Sequence, residues 1–170
     1  DDPLEAVVGQ LLRQRGETLA VAESCTGGLI GHRITNIPGA SRYFLADFVT
    51  YANEAKINTL GVPEQVIREH GAVSEQCARA MAEGARRNAG ATYAVATTGI
   101  AGPTGGTPQK PVGTVFIAVS GPRGTLVRRF FWPTSREVFK ERVATMALSM
   151  LRRYILGEIP AEGDQRSEQR

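Results

Sequence analysis

Three short stretches of the chain carry side chains able to do chemistry. The first is Glu23-Ser24-Cys25-Thr26-Gly27-Gly28. A short apolar run precedes it and a helical pattern follows, so a strand gives way to a helix here. A sharp strand-to-helix turn lifts a side chain out of a sheet, and the helix start offers backbone N–H groups to an oxyanion or another anion. Ser24, Cys25 and Thr26 are all nucleophile types, although the same pattern also describes an ordinary turn with Ser or Thr as the helix cap. The second stretch is Tyr51-Ala52-Asn53-Glu54-Ala55-Lys56. A lysine in a poorly solvated cleft loses proton affinity and becomes a general base, and Ser–Lys is an alternative to Ser-His-Asp. Tyr51 could sit between the two as a hydrogen-bonding relay; the plainer reading is a solvated helical lysine beside an aromatic strand end. The third stretch is Thr98 to Gly106, in which five of nine residues are Gly or Pro. Such a backbone can approach a ligand closely. It lacks the Gly-Lys-Ser/Thr of a P-loop and the Gly-x-Gly-x-x-Gly spacing, so alone it reads equally as a surface loop.

Other chemistries find little support. A Ser-His-Asp triad would have to recruit His32, inside the helix after Ser24, or His70, where a role at a helix C-terminus suffices. The Ser-x-x-Lys pattern of penicillin-binding enzymes fails because position 27 is Gly. Cys25 and Cys77 are the only cysteines. They form neither a disulfide framework nor, with the two histidines, a metal-ligand spacing, so no metal site is expected. The longest apolar run, Val115 to Val119, is too short to span a bilayer, and no leader segment is visible. A cytoplasmic protein with no membrane partner is expected.

Composition narrows the choice of base. The 170 residues are 42% hydrophobic and 22% charged, as in an ordinary globular domain. A net charge of +3 is too small to indicate nucleic acid, and no basic stripe is interleaved with aromatics. Seventeen of the 20 basic residues are arginines; the lysines are Lys56, Lys110 and Lys140. A neutral amine therefore has three candidate sources, because guanidinium keeps its proton.

The elements that must position these residues follow from periodicity and punctuation. Asp2-Pro3-Leu4-Glu5 opens a helix that stops at Gly16. Strands are predicted over 18–22, 43–51, 93–97, 113–120 and 125–131, the last two joined as a hairpin at Gly121-Pro122-Arg123-Gly124. Helices are predicted over 28–35, 53–60, 63–70 and 75–88. A final helix is opened by the capping box Thr134-Ser135-Arg136-Glu137, with Val138, Val143, Met146, Met150, Leu151 and Tyr154 at helical spacing. The expected fold is α/β, a three-layer α/β/α arrangement with a mixed sheet of about five strands. One domain is expected over 1–157, with 158–170 a polar, disordered tail.

Five motifs in order carry a family likeness. They are Ala22–Gly28, Phe48–Lys56, His70–Ser74, Thr98–Pro103 with Gly105-Gly106, and Lys110–Val115. Together they resemble the CinA C-terminal domain family, the nicotinamide mononucleotide amidohydrolases. Ala52 stands where that family often has Ser. The resemblance implies hydrolysis of a nicotinamide mononucleotide carboxamide to nicotinic acid mononucleotide and ammonia, without a metal or organic cofactor, by a homodimer. Fitted to that chemistry, Ser24 is the nucleophile, Lys56 the base and then acid, and Tyr51 the relay. Cys25 is the alternative nucleophile. Thr26, Gly27 and Gly28 would supply oxyanion or phosphate donors. Thr98, Gly99 and Gly102 would line the pocket, and Arg142 is the suggested phosphate partner. The rival readings are a catalytically silent nucleotide-binding or competence-related regulatory module and, on charge alone, a nucleic-acid binder.

Overall fold

Alternation along the central strands separates two apolar layers. The computed structural model describes residues 2–160. In it, β1 (Leu19–Glu23) is flanked by β2 (Phe44–Val49) and β3 (Tyr93–Gly99), both parallel to it. Antiparallel β4 (Thr114–Gly121) and β5 (Gly124–Phe131) complete the sheet in the order β2-β1-β3-β4-β5. The architecture is the expected mixed five-stranded sheet between helical layers.

One face carries the larger side chains. Leu19, Val21, Val95, Val115, Ile117 and Val119 pack there against Leu12, Ile30, Ile34, Phe139, Leu148 and Leu151. These come from α1 (Leu4–Arg15), α2 (Leu29–Thr35) and α6 (Arg136–Ile155). Each fully buried Leu or Ile contributes about 1.5–3 kcal/mol. The other face is nearly all alanine: Ala20, Ala22, Ala94, Ala96 and Ala118. Against it lies α5 (Glu75–Ala89), itself presenting Ala78, Ala82 and Ala85. Small residues on both sides bring the helix close to the sheet. Outside α5 sit α3 (Asn53–Leu60) and α4 (Glu64–His70). Gly84 of α5 packs on the backbone carbonyl of Leu60, where a methyl group would overlap the oxygen.

Several boundaries differ from the sequence reading. Pro3, not Asp2, takes the N-cap position of α1, and Ser135 caps α6 by accepting the Val138 N–H at 3.4 Å. The aromatic ends of the predicted second strand, Tyr43 and Tyr51, fall outside β2. At the C-terminus Ile159 is buried with the large core, so the packed body reaches beyond 157. Residues 161–170 of the predicted tail lie outside the described residues. No helix among the described residues is long and apolar enough to cross a membrane.

Candidate active site

The parallel strands β1, β2 and β3 all end on one side of the sheet. There β1 lies between neighbours reached by crossovers on opposite faces, the position at which open α/β sheets form a ligand crevice. The crevice is a cleft of about 450 Å3 lined by Ser24, Cys25, Tyr51, Asn53, Lys56, Ala72, Val73, Thr98, Gly99, Ile100, Ala101, Gly102, Thr104, Gly105 and Arg136. A larger open groove, about 710 Å3, lies beside α1 at the opposite strand ends and holds Arg13, Arg42 and Tyr43 but neither Ser24 nor Lys56.

Ser24 and Lys56 meet directly. The Lys56 amine donates to Ser24 Oγ at 2.9 Å, to the Thr50 carbonyl at 2.7 Å and to the Tyr51 carbonyl at 3.1 Å. These three acceptors match the three donors of an ammonium group. Lys56 is only 1% exposed, and burial lowers its pKa below the ordinary lysine value, against the opposing pull of Cys77 and Cys25. Its position on α3 follows from the local sequence. Asn53 starts the helix directly after the β2 exit, so Lys56 comes round one turn later and points back at the end of β1.

Cys25 has a different environment. It is buried, and burial pushes its thiol up to about 12 even with a hydrogen bond to Thr97. A thiol held protonated is a poor nucleophile, and the lysine amine is directed at Ser24 instead.

The turn after Ser24 is closed by its own atoms. Gly27 donates to the Ser24 carbonyl at 3.1 Å and Leu29 to the Thr26 carbonyl at 3.1 Å. Gly28 donates to the buried Glu23 carboxylate at 3.2 Å. The Thr26 hydroxyl pairs with Thr97 Oγ1 at 2.9 Å in the interior. The expected donor role is thereby corrected for the Thr26 hydroxyl and for the Gly27 and Gly28 amides, which serve the turn, and none of the three residues lines the cleft. Gly27 and Gly28 are there for their backbone, with φ of 62° and 104°. The amides of Cys25 and Thr26 have no oxygen acceptor among the described residues.

Two further expectations are corrected. The Tyr51 hydroxyl does not stand between Ser24 and Lys56. Its side chain is 61% exposed at the cleft rim, its hydroxyl accepts from Arg136 Nη2 at 3.0 Å, and only its backbone carbonyl touches Lys56. Arg142 is not at the cleft either; its guanidinium stacks over Trp132 at 4.9 Å. The reason is helical rise. The hairpin delivers the start of α6 to the cleft, and six residues carry Arg142 about 9 Å further along the axis. The arginine at the cleft is Arg136, which also donates to the Gly102 carbonyl at 2.6 Å. The capping box places residue 136 in the first turn of the helix that follows the hairpin, but nothing local directs its side chain to the cleft. Thr98, Gly99 and Gly102 do line the cleft, and the Thr98 hydroxyl donates to the Ala72 carbonyl at 2.9 Å. Lys110 braces the same segment through the His70 carbonyl at 2.5 Å. Lys56 and Arg136 are the only side chains of ionisable type in the lining among the described residues, apart from Cys25 and Tyr51.

The fold and this site define a class: an α/β protein with a buried Ser–Lys pair at the carboxyl ends of parallel strands, opening on a cationic cleft. Residues 1–155 match the CinA C-terminal domain, and the chain belongs to that family. A CinA-like protein of Syntrophus aciditrophicus is 55% identical over 157 residues, covering 91% of this chain and 37% of its own length. A CinA-like protein of Desulfotalea psychrophila is 51% identical over 158 residues, covering 93% and 38%. The chain thus spans under two fifths of these curated relatives. Among solved structures, the competence/damage inducible protein CihA from Agrobacterium tumefaciens is 40% identical with a TM-score of 0.85, covering 88% of this chain and 92% of that one. A CinA superfamily protein from Klebsiella pneumoniae is 32% identical with a TM-score of 0.87, covering 91% and 96%.

Proposed function

We propose that this domain hydrolyses the carboxamide of nicotinamide mononucleotide to nicotinic acid mononucleotide and ammonia. The observation that carries the reading is the lysine amine of depressed pKa, 2.9 Å from a serine hydroxyl at the floor of a cleft. In neutral Lys56 two N–H donors stay on the Thr50 and Tyr51 carbonyls, so the lone pair faces Ser24. Lys56 takes the Ser24 proton as Oγ attacks the carboxamide carbon. The Cys25 amide, directly after the nucleophile, is the natural donor to the oxyanion, and the Thr26 amide is second. Lys56 returns the proton to the leaving nitrogen and ammonia departs. Water, deprotonated by the same amine, then cleaves the acyl-serine. A cleft whose lining, among the described residues, holds the Arg136 guanidinium and no carboxylate suits an anionic substrate, and Arg136 at the rim is the partner for the ribose phosphate.

The same reading takes the protein as a homodimer working in a reducing cytoplasm, consistent with two free, buried cysteines. The intact Ser24–Lys56 pair favours catalysis over a silent binding module. Purified protein given nicotinamide mononucleotide is expected to release ammonia, with turnover in Ser24→Ala and Lys56→Ala reduced by about a thousandfold or more while circular dichroism is preserved. Arg136→Ala is expected to raise KM about tenfold. Full turnover in folded Ser24→Ala would overturn the mechanism.

A further inference from the structure

Directly before the nucleophile lies a charge that this mechanism leaves unused. Glu23 is wholly buried at the end of β1. Its carboxylate accepts the amides of Gly28 at 3.2 Å, Ile30 at 3.0 Å and Gly31 at 3.1 Å. These are donors of the first turn of α2, so residue 23 is fastened to residues 28–31 across the base of the turn, and Ser24 lies between the two ends. Beside Glu23, on β2, one carboxyl oxygen of Asp47 is cut off from water with no partner. The Asp47 carboxyl packs on Gly31, where a methyl would collide with it.

We propose that Glu23 is a positioning residue for Ser24, and that Glu23 and Asp47 work as one singly charged pair. The inference rests on the proposed function only for the role given to Ser24. The groups acting on Asp47 are Glu23 from β1 and the Gly31 amide from α2. Burial first, and the facing Glu23 second, hold the Asp47 carboxyl far above the ordinary carboxylate range. Two carboxyls side by side, Glu23 wholly buried and Asp47 with one oxygen shut off from water, resist ionising together. A proton on Asp47 gives the pair a hydrogen bond that two carboxylates cannot make. The three amides at the start of α2 point at the Glu23 side of the pair. The anion that this helix start could have bound is built into the chain, which leaves the substrate phosphate to Arg136.

The test uses the 170-residue chain with Glu23→Gln and Asp47→Asn. Glu23→Gln keeps the size but halves the acceptor capacity. Amide exchange at Gly28, Ile30 and Gly31 is expected to speed up about tenfold or more. Turnover of nicotinamide mononucleotide is expected to show kcat down about 10–100-fold with KM changed less than about twofold. A carboxyl whose folded pKa is raised contributes stability that is present below the ordinary carboxylate range and lost as pH rises. Wild-type Tm should therefore fall between about pH 5 and 8 more steeply than that of Asp47→Asn, whose amide donates to Glu23 at every pH. Parallel pH curves for wild type and Asp47→Asn would overturn the shared proton. Unchanged kcat or unchanged amide exchange in folded Glu23→Gln would overturn the positioning role. If wild type releases no ammonia, the proposed function falls, while the exchange and Tm measurements still decide the pair.

Discussion

An amine is a useful base only when something keeps it neutral, and at Lys56 that agent is burial. Three acceptors around one nitrogen tolerate both protonation states, because loss of a proton frees only the bond to Ser24. This fixes the expected pH dependence. For ammonia release, kcat/KM should rise with pH and level off below the ordinary lysine value of 10.5. Stability has a definite sign as well. The unfolded chain binds more protons than the folded one between the lowered value and 10.5, so wild type should gain stability relative to Lys56→Met as pH rises through that window. A kcat/KM with no rising limb anywhere below pH 10.5 would remove Lys56 as the base. Lys56→Arg should be inactive, since guanidinium does not release its proton. Cys25→Ala should keep ammonia release within about an order of magnitude, because its thiol stays protonated and the backbone amide remains.

At the scale of elements, Lys56 reaches Ser24 only because α3 lies close to α5, and α5 close to the sheet. Gly84 is the contact that permits the first approach. Gly84→Ala has no flexible side chain to displace, since the obstacle is the Leu60 backbone at the end of the helix that carries Lys56. The expected cost is about 1–3 kcal/mol of stability in thermal or denaturant unfolding. An ångström-scale shift of α3 should also lower kcat about a hundredfold, although residue 84 is remote from the cleft lining. A variant that loses stability but keeps full kcat would show that α3 is held in place by other contacts. This dependence on helix placement explains what the sequence disclosed. The strands and helices were legible because periodicity and turn residues are local, whereas Ser24 and Lys56 stand out only through the ordered set of motifs, since each local pattern fits a helix cap or a solvated lysine as well. The Tyr51 hydroxyl, Arg136 and Asp47 were not legible, because their partners lie on other elements: Tyr51 meets α6, Arg136 meets the loop after β3, and Asp47 meets β1 and α2. Arg142 has the right chemistry for a phosphate, and only the turn count along α6 removes it from the cleft.

For the whole molecule, the two sheet edges are treated differently. A free edge invites pairing unless charge, a bulge or a cover protects it. The β5 edge carries Arg128 and Arg129, with Arg129 over the Phe116 ring at 5.5 Å and bonded to the Gln109 carbonyl at 2.9 Å. The β2 edge instead exposes Leu45 and Val49 by nearly half, and the one charged side chain of β2, Asp47, turns inward toward Gly31. Exposed apolar side chains on an unprotected edge favour a second copy, whose symmetric approach would bury Leu45 and Val49 of both chains. Light scattering on the purified chain should therefore give twice the 18.3 kDa chain mass. Leu45→Glu places a charge in that contact and should yield the single-chain mass without loss of helical signal. Because Tyr51 and Arg136 stand at the rim just beyond the end of β2, the separated chain should show a raised KM rather than a lowered kcat. A wild-type chain that stays monomeric at about 100 μM would place the β2 edge outside any self-association.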